Sequence, residues 1–140
     1  MEGSVKWLGR KMFLAESASG HTVVMDGPEQ TGGRNIGFRP MALMLLGLAG
    51  CTSYDVIQIL DKSRQQVTDC VAEVEATRAD SIPAVFTSIH LHFVVTGIDL
   101  KQAQVERAIK LSSEKYCSAS MMLEAGGVTI SYDHEIRQLT

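Results

Sequence analysis

Residues 41–51 read MALMLLGLAGC, eleven apolar or small residues with no charge among them. Pro40 stands immediately before the run and suits the first position of a helix. Met41, Leu45, Leu48, Thr52, Val56, Ile59 and Leu60 then keep helical offsets as far as Lys62. A helix that is apolar nearly all round must be covered on most sides, so the rest of the chain has to supply surfaces that wrap it. The pattern also allows a break near Gly47 or Gly50. Eleven residues fall short of the roughly 20 that span a bilayer, and the start MEGSVKWLGRK has no apolar signal core. The expected location is therefore cytoplasmic, with no membrane partner, and the three cysteines read as thiols rather than as a disulfide framework.

The flanking segments read as partners for that helix. Val5, Trp7, Met12 and Leu14 alternate about a turn at Gly9-Arg10, and HTVVM (21–25) adds a third short run, which predicts an antiparallel meander. GPEQTGGRNIGFRP (27–40) reads as a long exposed loop that could cover or shape a site. After the helix, Val67–Arg78 and Phe86–Thr96 alternate as strands. Cys70, Ala72, Val74 and Ala76 share one face of the first. Ile89, Leu91, Phe93 and Val95 point inward from the second, and Ser88, His90 and His92 point away. Asp99 with Gln102 reads as a capping box for a helix whose Val105, Ala108, Ile109 and Ser112 share a face. A further helix is expected over 113–125, ending at Gly126-Gly127, followed by a strand carrying Val128, Ile130, Tyr132 and Ile136. The sum is a single α+β domain over residues 1–140 with mostly antiparallel sheets, in keeping with the usual domain size of about 100–200 residues. A net charge of −3, with thirteen Lys and Arg scattered among sixteen acids, argues against nucleic acid as a partner.

Among residues that could carry chemistry, Cys51 and Cys117 each read as helix-borne with small neighbours, Ala49-Gly50 and Ser118-Ala119. A buried cysteine is commonly a small packing residue. Small neighbours equally suit a thiol that a substrate must reach, and a lowered pKa would make it a nucleophile. Cys70, on a strand's apolar face, reads as structural. His90 and His92 have a spacing that can bind a metal, but no third ligand is apparent, so no metal is expected. His134 reads as a partly buried, hydrogen-bonded histidine. Gly32-Gly33 lacks the Gly-Lys-Ser/Thr ending of a phosphate loop.

The block PMALMLLGLAGCTSYDVIQIL, followed much later by SSEKYCSASMML, resembles the OsmC/Ohr family of osmotically inducible and organic-hydroperoxide-resistance proteins, in particular its YhfA-like branch. The likeness runs over essentially the whole chain, including WLG, SASGHTVVMDG and FTSIHLHFVVTG. It implies an OsmC-like fold around a central helix in an intertwined homodimer. It also implies thiol-dependent reduction of small organic hydroperoxides, with an external dithiol as reductant and no cofactor. Carried over, Cys51 is the peroxidatic cysteine and Cys117 the resolving one. Active members place a glutamate shortly after the helix-opening proline and pair it with an arginine that activates the thiolate. Here Met41 and Ala42 occupy those positions, leaving Arg39 and Arg34 as the candidate activating residues. Two other readings follow from that departure. In one, the protein is catalytically degenerate and binds a small apolar ligand near Met41, Ala42 and Met44. In the other, it is a redox sensor whose cysteine pair closes without turnover.

Overall fold

The computed structural model describes residues 1–140, in two compact units, 1–44 and 45–140. In the first, strands β1 (Gly3–Trp7), β2 (Phe13–Ser17) and β3 (Thr22–Met25) form the expected antiparallel meander, in that order. The β1–β2 turn needs a positive φ at Gly9 (97°) and Arg10 (50°), and the Trp7 indole N–H holds it by donating to the Arg10 carbonyl at 2.9 Å. The long loop contains one 3-10 turn, Glu29–Thr31, and folds around Asp26, whose side chain is almost wholly buried. Its carboxylate accepts from the backbone N–H groups of Gly27, Arg34 and Ile36 at 2.8, 3.1 and 3.4 Å. Burial pushes that carboxyl up, but these donors and the Arg34 charge outweigh it and hold the pKa below its ordinary value. Gly33 passes so close to Gly27 that a Cβ there would meet its carbonyl oxygen at 2.0 Å, so only glycine fits.

Helix α1 (Pro40–Lys62) runs unbroken for 23 residues. Gly47 and Gly50 do not interrupt it, because each costs only about 1 kcal/mol in a helix and both lie among strong helix formers. By length and apolarity α1 could cross a membrane, since Val56, Ile57, Ile59 and Leu60 add to the apolar residues of its first half. Its inward stripe is sealed against its own chain instead: Leu48, Thr52, Val56 and Leu60, at steps of four, are all buried. The expectation that α1 is covered on most sides does not hold within one chain. Met44, Leu46, Tyr54 and Ile57 are exposed on other faces.

In the second unit, β4 (Gln66–Arg78) and β5 (Phe86–Ile98) form a long antiparallel hairpin. Helices α2 (Gln102–Leu111) and α3 (Ser118–Ala125) follow, joined by a π turn at Ser112–Tyr116, and β6 (Thr129–Gln138) then pairs with β5. That last pairing is parallel, because the two helices carry the chain back to the start of β5 before it re-enters the sheet. The other three pairings are antiparallel, in keeping with an α+β fold. Ile89, Leu91, Phe93 and Val95 fill the core as their alternation predicts, and the Phe93 ring stacks on Tyr132 with centroids 6.5 Å apart.

Two expected helix boundaries are displaced. Asp99 does not cap α2: it takes a left-handed φ of 51°, and Lys101 occupies the N-cap. The N–H groups exposed by that turn are satisfied from afar, Leu100 donating to Gln138 Oε1 at 3.0 Å and Lys101 to Gln65 Oε1 at 2.9 Å. Gln102 turns to Glu106 rather than back to a cap, donating at 2.8 Å. The helix expected over 113–125 is split as well. Cys117 is extended (φ −75°, ψ 101°) and stands at the N-cap of α3 rather than inside a helix.

Candidate active site: a cysteine pair at a helix N-terminus

The break at Cys117 builds the site. Leaving helical geometry there turns the Cys117 sulfur back over the first turn of α3, where helix N–H groups have no partners within the helix. The Ser120 N–H donates to Cys117 Sγ at 3.4 Å. The Ala119 N–H is directed at the Cys51 sulfur on α1, so one helix terminus serves both thiols. The partial positive charge of that terminus favours a thiolate.

Buried hydroxyls fix the geometry. Ser112 Oγ shares its one proton between the Thr52 carbonyl, at 3.0 Å, and Asp55 Oδ2, at 3.4 Å, tying the π turn to α1. Thr52 Oγ1 lies 3.0 Å from the Leu48 carbonyl and 3.3 Å from Cys117 Sγ. That hydroxyl has one proton for two acceptors. Over a Cys117 thiol it donates to Leu48 and receives S–H, whereas over a thiolate it donates to sulfur. Ser120 Oγ donates to the Cys117 carbonyl at 3.2 Å. Thr52, Ser112, Cys117 and Ser120 are all fully buried, while Cys51 and Asp55 are partly exposed.

The sulfurs of Cys51 and Cys117 and a carboxylate oxygen of Asp55 all lie within 4.8 Å of one another. The two thiols shift in opposite directions. Burial pushes Cys117 up, but the hydrogen bonds from Thr52, the Ser120 N–H and Cys51 overcome it and bring the thiol below its ordinary value. Burial pushes Cys51 up; the Ala119 N–H pulls it down, but the Cys117 sulfur and the Asp55 charge add to the rise. The first proton lost from the pair therefore leaves Cys117, and Cys51 keeps its own as a donor toward that sulfur. Cys70 lies apart on β4, in a cleft of about 680 Å³ along the outer side of α1, where burial and then Asp69 raise its pKa.

Of the residues singled out from sequence, the fold brings together Cys51 and Cys117. Arg39 is engaged in its own loop, donating to Asn35 Oδ1 at 2.7 Å and to the Gly37 carbonyl at 3.3 Å, and Arg34 belongs to the Asp26 knot. Neither Met41, Ala42 nor Met44 lines the 680 Å³ cleft, whose walls are the Gly50–Asp61 side of α1 and residues 65–70. Asp55, Thr52, Ser112 and Ser120 were missed. The i, i+4 spacing of Cys51 and Asp55 could have flagged the aspartate; the apolar helical faces carried Thr52 and Ser112 inward, but nothing local marks their hydroxyls as partners of the thiols. On the polar face of the second sheet, Asp133 Oδ1 bridges His90 Nε2 (3.0 Å) and His92 Nδ1 (2.6 Å), a third group that the sequence did not reveal. His134 is partly buried, with Glu106 Oε1 3.9 Å from its Nε2.

Known proteins share this arrangement of elements. The chain is 46% identical over 139 residues to Protein YhfA of Escherichia coli K12, covering 97% of this chain and 98% of that one. A hypothetical protein from Aquifex aeolicus superposes with a TM-score of 0.81 at 27% identity over 98% of this chain and 97% of that one. An organic hydroperoxide resistance protein OsmC from Legionella pneumophila has the same fold, with a TM-score of 0.69 at 19% identity over 99% and 98% of the two chains. The sequence pattern of the OsmC-like proteins matches residues 31–133. The chain belongs to the OsmC-like protein family.

Proposed function

We propose that the protein reduces small organic hydroperoxides with the Cys51/Cys117 pair, at the expense of an external dithiol, as a cytoplasmic homodimer. The observation that carries this reading is the meeting of two thiols, 66 positions apart in sequence, at the N-terminus of α3. Cys51, the more accessible sulfur, attacks the terminal peroxide oxygen and passes its proton to the Cys117 thiolate. The O–O bond breaks, the departing alkoxide takes that proton to leave as alcohol, and Cys51 becomes a sulfenic acid. Cys117, a thiolate again, then attacks the Cys51 sulfur and expels hydroxide, closing a disulfide that the dithiol reopens. The exposed apolar side chains Leu46, Tyr54 and Ile57 on α1 support a second copy as partner, as does the open space where Gly47 and Gly50 would carry a Cβ.

The test is consumption of cumene hydroperoxide with a dithiol reductant by wild type and Cys51→Ser. Turnover by wild type and none by the variant is expected; equal turnover overturns the reading. One observation favours a sensor instead: the negative Asp55 faces Cys51 where an activating cation would be needed. A sensor would form one stoichiometric Cys51–Cys117 disulfide per chain after peroxide without catalytic consumption, and thiol mapping by mass spectrometry separates the two.

A further inference from the structure

The cysteine pair carries an excess of acceptor charge. A partly exposed carboxylate and two sulfurs converge, and no cationic side chain is among the groups that hydrogen-bond the sulfurs, which are hydroxyls, the Cys51 thiol and the N–H groups of a single helix terminus. Cys51 and Asp55 are one helical turn apart on α1 and so project from the same face, while Cys117 approaches from the start of α3. Two residues at i, i+4 on one helix, closed by a third from another element, is a common way for proteins to hold a divalent ion.

We propose that Cys51, Asp55 and Cys117 form a three-ligand site for zinc, with the fourth coordination position open to solvent. The donor set of two thiolates and one carboxylate suits a borderline-soft ion that takes tetrahedral sulfur and oxygen ligands. Tetrahedral zinc places sulfurs about 2.3 Å from the metal, hence about 3.8 Å from each other. The three donor atoms already lie within 4.8 Å of one another, so a closure of about 1 Å suffices. The supporting shell is in place: Thr52 and the Ser120 N–H orient the Cys117 sulfur, and Ser112 holds Asp55. On its carboxylate side the site borders a cleft of about 390 Å³ that Asp55 lines together with Gln58, Lys62, Arg107 and Tyr116. Zinc binds as each coordinating thiol gives up its proton to solvent, and no electron moves. The metal covers the lone pairs that disulfide closure needs, so the ion guards the pair against oxidation.

Binding does not depend on peroxide turnover, and the two can fail separately. The reduced, metal-free full-length protein is titrated with zinc and counted by native mass spectrometry, then with Co²⁺ in place of zinc. One ion per chain is expected, and Co²⁺ should give thiolate charge-transfer bands together with the visible bands of a tetrahedral ion. Zinc should slow alkylation of Cys51 and Cys117 while leaving Cys70, the internal control, unprotected. Asp55→Asn should weaken binding at least about tenfold and Cys51→Ser about a hundredfold, each checked for a native circular dichroism spectrum. Absence of binding, one ion per two chains, protection centred on Cys70, or wild-type affinity in Asp55→Asn each overturns the site. Should a variant fail to fold, the Co²⁺ spectrum of the wild type decides, and bands lacking thiolate character overturn it.

Discussion

Replacing Thr52 by valine tests the chemistry of the pair most directly. The side chains are nearly isosteric, and the position is fully buried on α1, so the change deletes one hydroxyl and little volume. The lost bond to the Leu48 carbonyl matters little, because a helix carbonyl at that depth keeps its backbone donor. The lost bond to Cys117 Sγ, 3.3 Å long, matters more. A hydrogen bond to an ionised group contributes about 1.5–3 kcal/mol. At about 1.36 kcal/mol per tenfold, its removal lowers the thiolate-to-thiol ratio of Cys117 about ten- to a hundredfold. The Ser120 N–H remains and keeps the effect toward the lower end. The assay is ultraviolet absorbance of thiolate against pH in a Cys70→Ser background, which leaves the pair as the only thiols, with tyrosine ionisation subtracted from its own band at longer wavelength. Thr52→Val should move the first ionisation to higher pH, and Thr52→Ser, which keeps the hydroxyl, should stay near wild type. Equal titration of the valine and serine variants refutes the assignment of that hydroxyl as a sulfur donor.

Three further outcomes follow from the packing and the polar sheet face. Phe93→Ala removes a fully buried ring stacked on Tyr132 and should cost about 3–5 kcal/mol in urea denaturation. Ser112→Ala severs the tie between the π turn and Thr52 and should cost about 1–2 kcal/mol, read in the same way, while freeing Asp55. His92 titrates above its ordinary value of 6.5, chiefly through its hydrogen bond to Asp133, which in turn titrates below 3.8. The His92 contribution to stability is thus complete below 6.5 and fades as pH rises through its raised value. The Asp133 contribution is complete above 3.8 and fades as pH falls through its lowered value. NMR titration of the His92 ring should show the Asp133→Asn variant returning toward 6.5, and an unmoved midpoint removes the pairing as cause.

Periodicity revealed what depends on neighbours in sequence. The alternation of β5 fixed which side chains enter the core, and the run after Pro40 fixed α1. It could not reveal partners: nothing in TISYDHEIRQ says whether that strand meets β5 parallel or antiparallel, since either direction alternates alike. Cys117 was legible as a thiol of interest but not as a cap, because SSEKYCSASMML has helix-compatible composition throughout and the break comes from buried bonds to Thr52 and Ser120. Asp55 is a polar residue at helical spacing, which a single sequence does not distinguish from a solvated face, and Ser112 was legible on the apolar face of α2 but not as a partner of α1. Asp99 misled for the converse reason, because two glutamines distant in sequence, Gln65 and Gln138, take over the turn that it was expected to cap.

The parallel return of β6 bears on how the site comes into being. Every residue pair between β5 and β6 is separated by the same 41 positions, so no hairpin can zip that ladder from a turn. Its loop-closure entropy falls due at once, after α2 and α3 have shortened the path, whereas β4 and β5 can close locally. Tyr132, on β6, backs the core beside Phe93. The core around Phe93 is therefore closed by the pairing with the longest reach in sequence, and a substitution in β6 acts on it across 41 positions.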